Sequence, residues 1–336
     1  MDTLTHIVLG ACIGEVLAGK RLGKAALLVG AVANSLPDID FVASFWLPTT
    51  DDLLAHRGFT HSFLFLAMVS PLLAWVCGKL FVRSGIGFRS WLWFWVLQVF
   101  VHLFIDAFNA YGTAWFEPFS HYRVSFNTMF VADPLFTLWP LAAFIALLFI
   151  KRDRPNRVKL AARALALSGV YLVLGVVFKL FVANNVEAAM KAKNIPTNHY
   201  FTTPTPLNNL LWYVVAGTDS GYYIGYRSVL DKADGMTFRF AHRNDTLLQQ
   251  THNKRDADNL VRFADGFYTV DRIHDSLAIN VLRFGERFGW SAPQPGFVFY
   301  YFLDYPDANK LIVQRGRVAG WNADSVAHFA QRIGGH

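Results

Sequence analysis

Charge is scarce in this chain. Asp, Glu, Lys and Arg make up 16% of its 336 residues, where an average soluble domain carries about 25%. Cysteine is almost missing, and its two copies, Cys12 and Cys77, both stand inside apolar runs. Two thiols build no disulfide framework, and a free cysteine in an apolar run behaves as a small buried hydrophobe. Internal repeats and low-complexity linkers are lacking too. What fills the space is apolar: 54% hydrophobic and 16% aromatic residues, with a mean hydropathy of +0.29. A disordered chain and a small secreted scaffold are thereby excluded. A membrane protein with a soluble piece attached remains. The net charge of +7 does not point to nucleic acid, because the cations gather in short loops between apolar runs and no nucleic-acid-binding motif accompanies them.

A hydrocarbon core about 30 Å thick needs around 20 mostly apolar residues per helix. Four segments qualify, at about 62–82, 90–110, 134–150 and 160–183; two shorter, Gly- and Ala-rich ones precede them at 3–19 and 24–37. A signal peptide is a poor reading of 1–19, since Asp2 and His6 occupy the place of a basic leader region and the cations follow the apolar stretch. Ten cations lie in alternate connections: Lys20, Arg21, Lys24, Arg83, Arg89, Lys151, Arg152, Arg154, Arg157 and Lys159. The other connections hold two, Arg57 and Arg123, beside Asp38, Asp40, Asp51, Asp52, Glu117 and Asp133. The positive-inside rule then predicts six spans with both termini outside the cytoplasm.

The chain changes character near residue 184. Charges return, turn pairs appear (Asn208-Asn209, Asp234-Gly235, Asp265-Gly266), and strand-like stretches run at 212–216, 222–229, 267–271, 297–303 and 311–314. The expected architecture is a polytopic α-helical membrane domain over 1–183, its first two helices short. A soluble, mainly β or α+β domain follows over 184–336, on the outer side.

Ionisable residues at apolar helices are costly and need a partner or a task. Asp2 and His6 open the first segment, Asp38 and Asp40 close the second, His56 and His61 lead into the third, and His102 and Asp106 end the fourth. A topology drawn from Lys and Arg alone puts all eight on the outer face. Asp2/His6 and His102/Asp106 are each four residues apart, so each pair shares a helix face. Pro37 ends a helix and leaves Asp38 and Asp40 at its edge. His and Asp without thiolate suit Zn²⁺, Mn²⁺ or Fe²⁺ better than an all-oxygen Ca²⁺ site. The candidate metal ligands are His6, Asp38, Asp40, His56, His61, His102 and Asp106, for one ion or two. Each has a plain structural reading as well: a cap, a solvated turn, or a polar pair inside a bundle. His121 is a spare loop histidine. His199, His242, His252, His274, His328 and His336 show no ligand spacing and read as surface residues, and Asp219 and Asp304 as turn residues.

At these positions the sequence resembles the bacterial membrane-bound metal-dependent hydrolases of the inner membrane. The blocks that carry the resemblance are Met1-Asp2-Thr3-Leu4-Thr5-His6, Leu36-Pro37-Asp38-Ile39-Asp40 and His56-Arg57-Gly58-Phe59-Thr60-His61-Ser62. It continues through His102-Leu103-Phe104-Ile105-Asp106 with Tyr111-Gly112-Thr113, then Pro118-Phe119 to Asp133-Pro134. Residues 1–140 are covered; the tail carries no assignable motif. A weaker likeness, through His102 and Asp106, reaches the zinc-dependent phospholipase C and nuclease group and implies phosphoester cleavage. That group's later His-x-x-x-Glu pair is not found here, which leaves a three-metal cluster unsupported.

The expected chemistry is metal-assisted hydrolysis of a membrane lipid or lipid-linked substrate. Asp38 would handle the attacking water, and Arg57 would either neutralise a phosphate oxygen or position the loop. A divalent-metal transporter is the rival, since intramembrane His and Asp also mark ion pathways; Glu15 is the one acidic residue that would continue such a path inward. A non-catalytic envelope scaffold would leave the convergence of Asp and His unexplained.

Overall fold

The computed structural model describes residues 1–152, 154–197, 199–232, 235–273, 275–292, 295–304, 309 and 321–335. The chain divides into two compact units: residues 1–43, 55–175 and 206–208, and residues 44–54, 176–205 and 209–336.

The first unit is helical: α1 (Thr3–Leu22), α2 (Ala25–Ser35), α4 (Phe63–Leu80), α5 (Phe88–Asp106), α6 (Pro134–Phe149) and the start of α7 (Asn156–Ala192), while the short α3 (Thr49–Ala55) between α2 and α4 lies up to Leu54 in the second unit. Asp2 caps α1 by accepting the Thr5 amide at 3.1 Å, and Asp133 caps α6 ahead of Pro134. After α2 the chain tightens into a 3₁₀ run, Leu36–Phe45, because Pro37 has no N–H for the α ladder. The lengths depart from expectation. With its 3₁₀ extension α2 is a 21-residue span, and α1 has 20 residues, so neither is short. The short one is α6, whose 16 residues make about 24 Å of helix. α7 is a single helix of 37 residues, so the expected border at 183/184 falls inside it. In α4 and α7 only 17% of the most apolar stretch is buried, so both turn apolar side chains outward, as a bilayer permits and water does not.

α1 and α2 pack at backbone distance. A Cβ on Gly30 would stand 2.1 Å from the Gly10 carbonyl oxygen, and one on Gly14 would stand 2.2 Å from that of Ala26. Only small residues allow this approach. The antiparallel register pairs 10 with 30 and 14 with 26, and one turn further along pairs His6 with Asn34. At the opposite end the basic connections meet: Arg21 donates to Gly85 O (2.8 Å), Lys24 to Leu148 O (2.6 Å) and Arg152 to Arg21 O (2.7 Å). Arg157 is no loop cation. It is buried, bonded to Glu15 by two parallel N–H···O contacts of 2.9 and 2.8 Å, and donates to the Leu147 and Ile150 carbonyls.

The second unit holds two antiparallel sheets. One has the order β1 (His199–Pro204), β2 (Leu211–Gly217), β3 (Gly221–Ser228), β4 (Phe238–His242); the other has β5 (Tyr268–Ile273), β6 (Ser276–Val281), β7 (Tyr300–Phe302). Every residue of β2 is buried. Trp212, Val214 and Ala216 pack on Val182, Val186 and Met190 of α7, while Tyr213 and Val215 pack on Phe267, Leu282 and Phe297. The expected strands at 212–216, 222–229 and 267–271 are found. That at 297–303 shrinks to three residues, and those at 311–314 and the turn at Asp234-Gly235 lie partly or wholly outside the described residues. α8 (Lys254–Phe263) receives α3: Arg255 donates to Asp51 at 2.8 Å and Thr50 to Asp256 at 2.5 Å. α9 (Ala323–Ile333) follows.

Candidate metal centre

Asp38, His61, His102 and Asp106 each direct one donor atom into a common point, all within 4.8 Å of one another. His61 Nε2 and His102 Nε2 are 3.0 Å apart. Asp38 Oδ1 is 3.6 Å from both nitrogens, and Asp106 Oδ2 is 3.4 Å from His61 and 3.6 Å from His102. Zn²⁺ bonds of about 2.0–2.1 Å give a regular tetrahedron an edge of about 3.3 Å. Five of the six donor-to-donor distances, 3.0–3.6 Å, bracket it, and the sixth, between Asp38 and Asp106, lies within 4.8 Å.

The hydrogen bonds around the two imidazoles leave the four atoms placed to receive a cation. His102 Nδ1 lies 2.5 Å from the Asn34 carbonyl, which can only accept, so Nδ1 carries the proton and Nε2 a lone pair. His61 Nδ1 lies 3.3 Å from Asp40 Oδ2 and 3.1 Å from the Thr60 hydroxyl; with its proton on Asp40, its Nε2 carries a lone pair too. Two lone pairs and two carboxylate oxygens then point at one another in a site where three of the four residues are buried. Asp106 Oδ2 is itself buried without a hydrogen-bond partner. Such a convergence of acceptors is stabilised by positive charge, which Arg57 supplies to Asp106 from one side and a bound cation would supply at the centre. The donor set fits a divalent ion.

Around this group stands a supporting layer. Asp40 accepts the Arg57 amide at 2.7 Å and faces His56 Nδ1 at 3.4 Å. The Arg57 backbone has φ +57°, a left-handed conformation that costs a non-glycine residue about 1–2 kcal/mol; its bonds to Asp40 and from the Ala114 amide (3.1 Å) hold it there. The Arg57 guanidinium, 2% exposed, sits 3.1 Å from Asp106 Oδ2 and donates to Asn109 Oδ1 at 2.8 Å. Its committed position makes it a positioning residue for Asp106. The other Asp106 oxygen takes the Met1 amino group and lies 3.0 Å from His6 Nε2. The His6 ring stacks on His102, centroids 3.8 Å apart.

Of the seven nominated ligands, then, four converge. His6 and Asp40 stand behind them, and His56, half-buried, stands at the side on Asp40. Burial lowers the His56 pKa, against the opposing pull of Asp40. Asp2 is a cap. His121 pairs with Glu117 at 2.6 Å, exposed. His199, His242, His252 and His328 are exposed; His274 and His336 lie outside the described residues. Asp304 accepts the Leu277 amide at 3.1 Å, as a turn residue does. Sequence reasoning missed Asn34 and Gln98. Asn34 accepts from His6 Nδ1 at 3.2 Å and donates to Gln98 O at 2.8 Å, and Gln98 donates to Gly10 O at 3.0 Å. Each is an uncharged polar residue one turn ahead of a ligand in an apolar helix, which is the signal that would have found it.

Fold and site together define a polytopic helical membrane protein carrying a buried two-histidine, two-carboxylate candidate metal group and a β-rich second unit. The chain belongs to the YdjM inner membrane protein family, whose profile matches residues 1–183. It is 32% identical over 153 residues to the uncharacterized protein YfhP of Bacillus subtilis (strain 168), covering 43% of this chain and 45% of that one. It is 33% identical over 122 residues to the inner membrane protein YbcI of Escherichia coli (strain K12), covering 36% of this chain and 69% of YbcI. The matched part thus spans less than half the length of YfhP. No solved structure matches.

Proposed function

We propose that the helical unit is a membrane-embedded, metal-dependent hydrolase that prefers Zn²⁺ and cleaves a phosphoester in a lipid or lipid-linked substrate. The observation that carries the reading is the set of four mutually facing side-chain atoms, with the His102 Nδ1 proton held outward by the Asn34 carbonyl and His61 Nδ1 facing Asp40. A compact donor set of two nitrogens and two oxygens favours zinc over calcium or magnesium. An ion held there acts as a Lewis acid and brings the pKa of water down to about 7. Asp38, 21% exposed, is the most accessible of the four side chains and orients or deprotonates the water. Arg57 holds Asp106 in place, and Asp40 keeps His61 in the required tautomer.

The site faces the outer side of the bacterial inner membrane in this reading. Its support is the bias of cations toward the opposite connections, three of which meet at one end of the bundle. Exposed aromatics in the segments at the site end, Phe41, Phe119 and Tyr122, suit a lipid headgroup boundary and a substrate drawn from it. The transporter reading loses its inward step, because Glu15 is neutralised by Arg157.

The test is metal analysis of purified protein, followed by hydrolysis assays on a chromogenic phosphodiester and on phospholipids in nanodiscs. Zinc-loaded protein is expected to turn over. Asp38→Asn should slow it by about 10²–10⁴. No hydrolysis by metal-loaded protein, with zinc instead crossing proteoliposomes in a His102-dependent manner, replaces the enzyme by the transporter.

A further inference from the structure

The second unit contains a cavity of about 420 Å³ that the metal chemistry does not use. Its floor follows from strand register. Thr269 pairs with Asn280 and Asn280 with Tyr300, while Asp271 pairs with Ala278 and Ala278 with Phe302. Directly paired residues share a sheet face, so Thr269, Asp271, Asn280, Tyr300 and Phe302 all lie on one side of the three-stranded sheet. The opposite side carries Val270, Ile279, Val281 and Tyr301, all buried core. A soluble sheet commonly leaves its polar face to water. Here that face is covered too: Thr269 is 1% and Asn280 4% exposed.

Asn280 Nδ2 donates to Thr269 Oγ1 at 3.0 Å and to Asp271 Oδ2 at 2.7 Å, which fixes the carboxylate at the cavity wall. Arg239, also in the lining, is bonded to Glu286, so its charge is cancelled. Arg287 differs. It lines the same cavity, its Nε is buried, and among the described residues its guanidinium has no hydrogen-bond partner. A buried guanidinium nitrogen left unpaired is costly, and its fork geometry matches a carboxylate or phosphate. Beside it stand the Tyr300 and Phe302 rings, centroids 5.6 Å apart.

We infer that this cavity is a binding site for an anionic saccharide, a sugar bearing a carboxylate or phosphate. Arg287 takes the anion, the Asp271–Asn280 pair takes the ring hydroxyls, and Tyr300 and Phe302 offer apolar faces to the ring. Each recognition element answers one part of such a ligand: an anion alone leaves Asp271 opposed to its own charge, and a purely apolar ligand leaves Arg287 and Asp271 unsatisfied. The volume suits a monosaccharide or disaccharide. The inference is independent of the metal centre and of any hydrolytic activity.

Calorimetric titration of the full chain in detergent with glucuronate, glucose 1-phosphate, glucose and inorganic phosphate tests it. At least one of the two anionic sugars is expected to bind at least ten times more tightly than both glucose and phosphate. Arg287→Ala should weaken that sugar about 10–100-fold, the range for losing a charge-assisted hydrogen bond. Arg287→Lys should recover part of it, and Asp271→Asn should reduce preference for the sugar over phosphate. Thermal unfolding of each variant separates lost binding from lost folding. Absence of binding by both sugars to the wild-type chain, or binding that a folded Arg287→Ala variant retains in full, overturns the inference. So does phosphate binding as tightly as the tighter of the two sugars.

Discussion

The sharpest consequence of the geometry concerns His56. It belongs to the same loop as His61 and has the same chemistry, yet its Nδ1 lies 3.4 Å from Asp40 Oδ1 and it is absent from the converging group. Structural zinc sites in small domains bind with about 10–16 kcal/mol in total. If four ligands share that roughly equally, removal of one costs about 2.5–4 kcal/mol, or about 10²–10³-fold in affinity. His61→Ala, His102→Ala and Asp106→Ala should therefore each lose zinc by that factor. Asp40→Asn should lose about 10–100-fold, the usual worth of a residue that orients a ligand, because it holds His61 Nδ1 at 3.3 Å. His56→Ala should stay within about 3-fold of wild type, since on this geometry it removes neither a ligand nor a partner of one. The assay is competition for zinc against a chromophoric chelator, with protein stripped of metal beforehand and helicity followed by circular dichroism. Loss in His56→Ala as large as in His61→Ala would refute the assignment and restore the wider ligand set.

Three further outcomes are expected. Gly30→Ala places a methyl group 2.1 Å from the Gly10 carbonyl oxygen and should destabilise the fold by about 1–3 kcal/mol, read as a lower midpoint of thermal unfolding in detergent; an unchanged midpoint means α1 and α2 do not pack as described. Glu15→Gln leaves Arg157 charged and buried without its partner and should cost about 3–5 kcal/mol, while Glu15→Gln with Arg157→Met should regain most of it. A double variant no more stable than the single one would show that the pair is not coupled. Acidification acts twice. Protons compete with zinc for imidazole nitrogen, so metal retention should fall as pH is lowered. His56 contributes separately: burial lowers its folded pKa, so the unfolded chain takes up the proton first, and its contribution to stability is present above about pH 6.5 and lost as pH falls. His56→Gln should flatten that part of the metal-free stability profile, and an unaltered profile would remove His56 from the account.

Much of this protein is local in origin and therefore written in the chain itself. Length of apolar run and scarcity of charge set where the helices cross, since 20 residues without charge have few stable places other than a bilayer. Alternation and turn pairs set the strands at 212–216 and 267–271. The i, i+4 spacing of His102 and Asp106 set one half of the metal group, because a helix carries both side chains to one face. Three things were decided only by tertiary packing. Which four of seven candidate ligands converge depends on the backbone contact of Gly10 with Gly30 and on the left-handed Arg57, which together turn His6 and His56 to Asp106 and Asp40. The pairing of Glu15 with Arg157, 142 residues away in sequence, turned an apparent ion path and a loop cation into one neutral buried contact. The burial of every β2 residue, despite a stretch that reads like any half-exposed strand, arose because α7 covers one face and Phe267 with Phe297 the other. Periodicity reports which faces an element offers; what meets each face depends on partners distant in sequence, and only the folded chain brings them together.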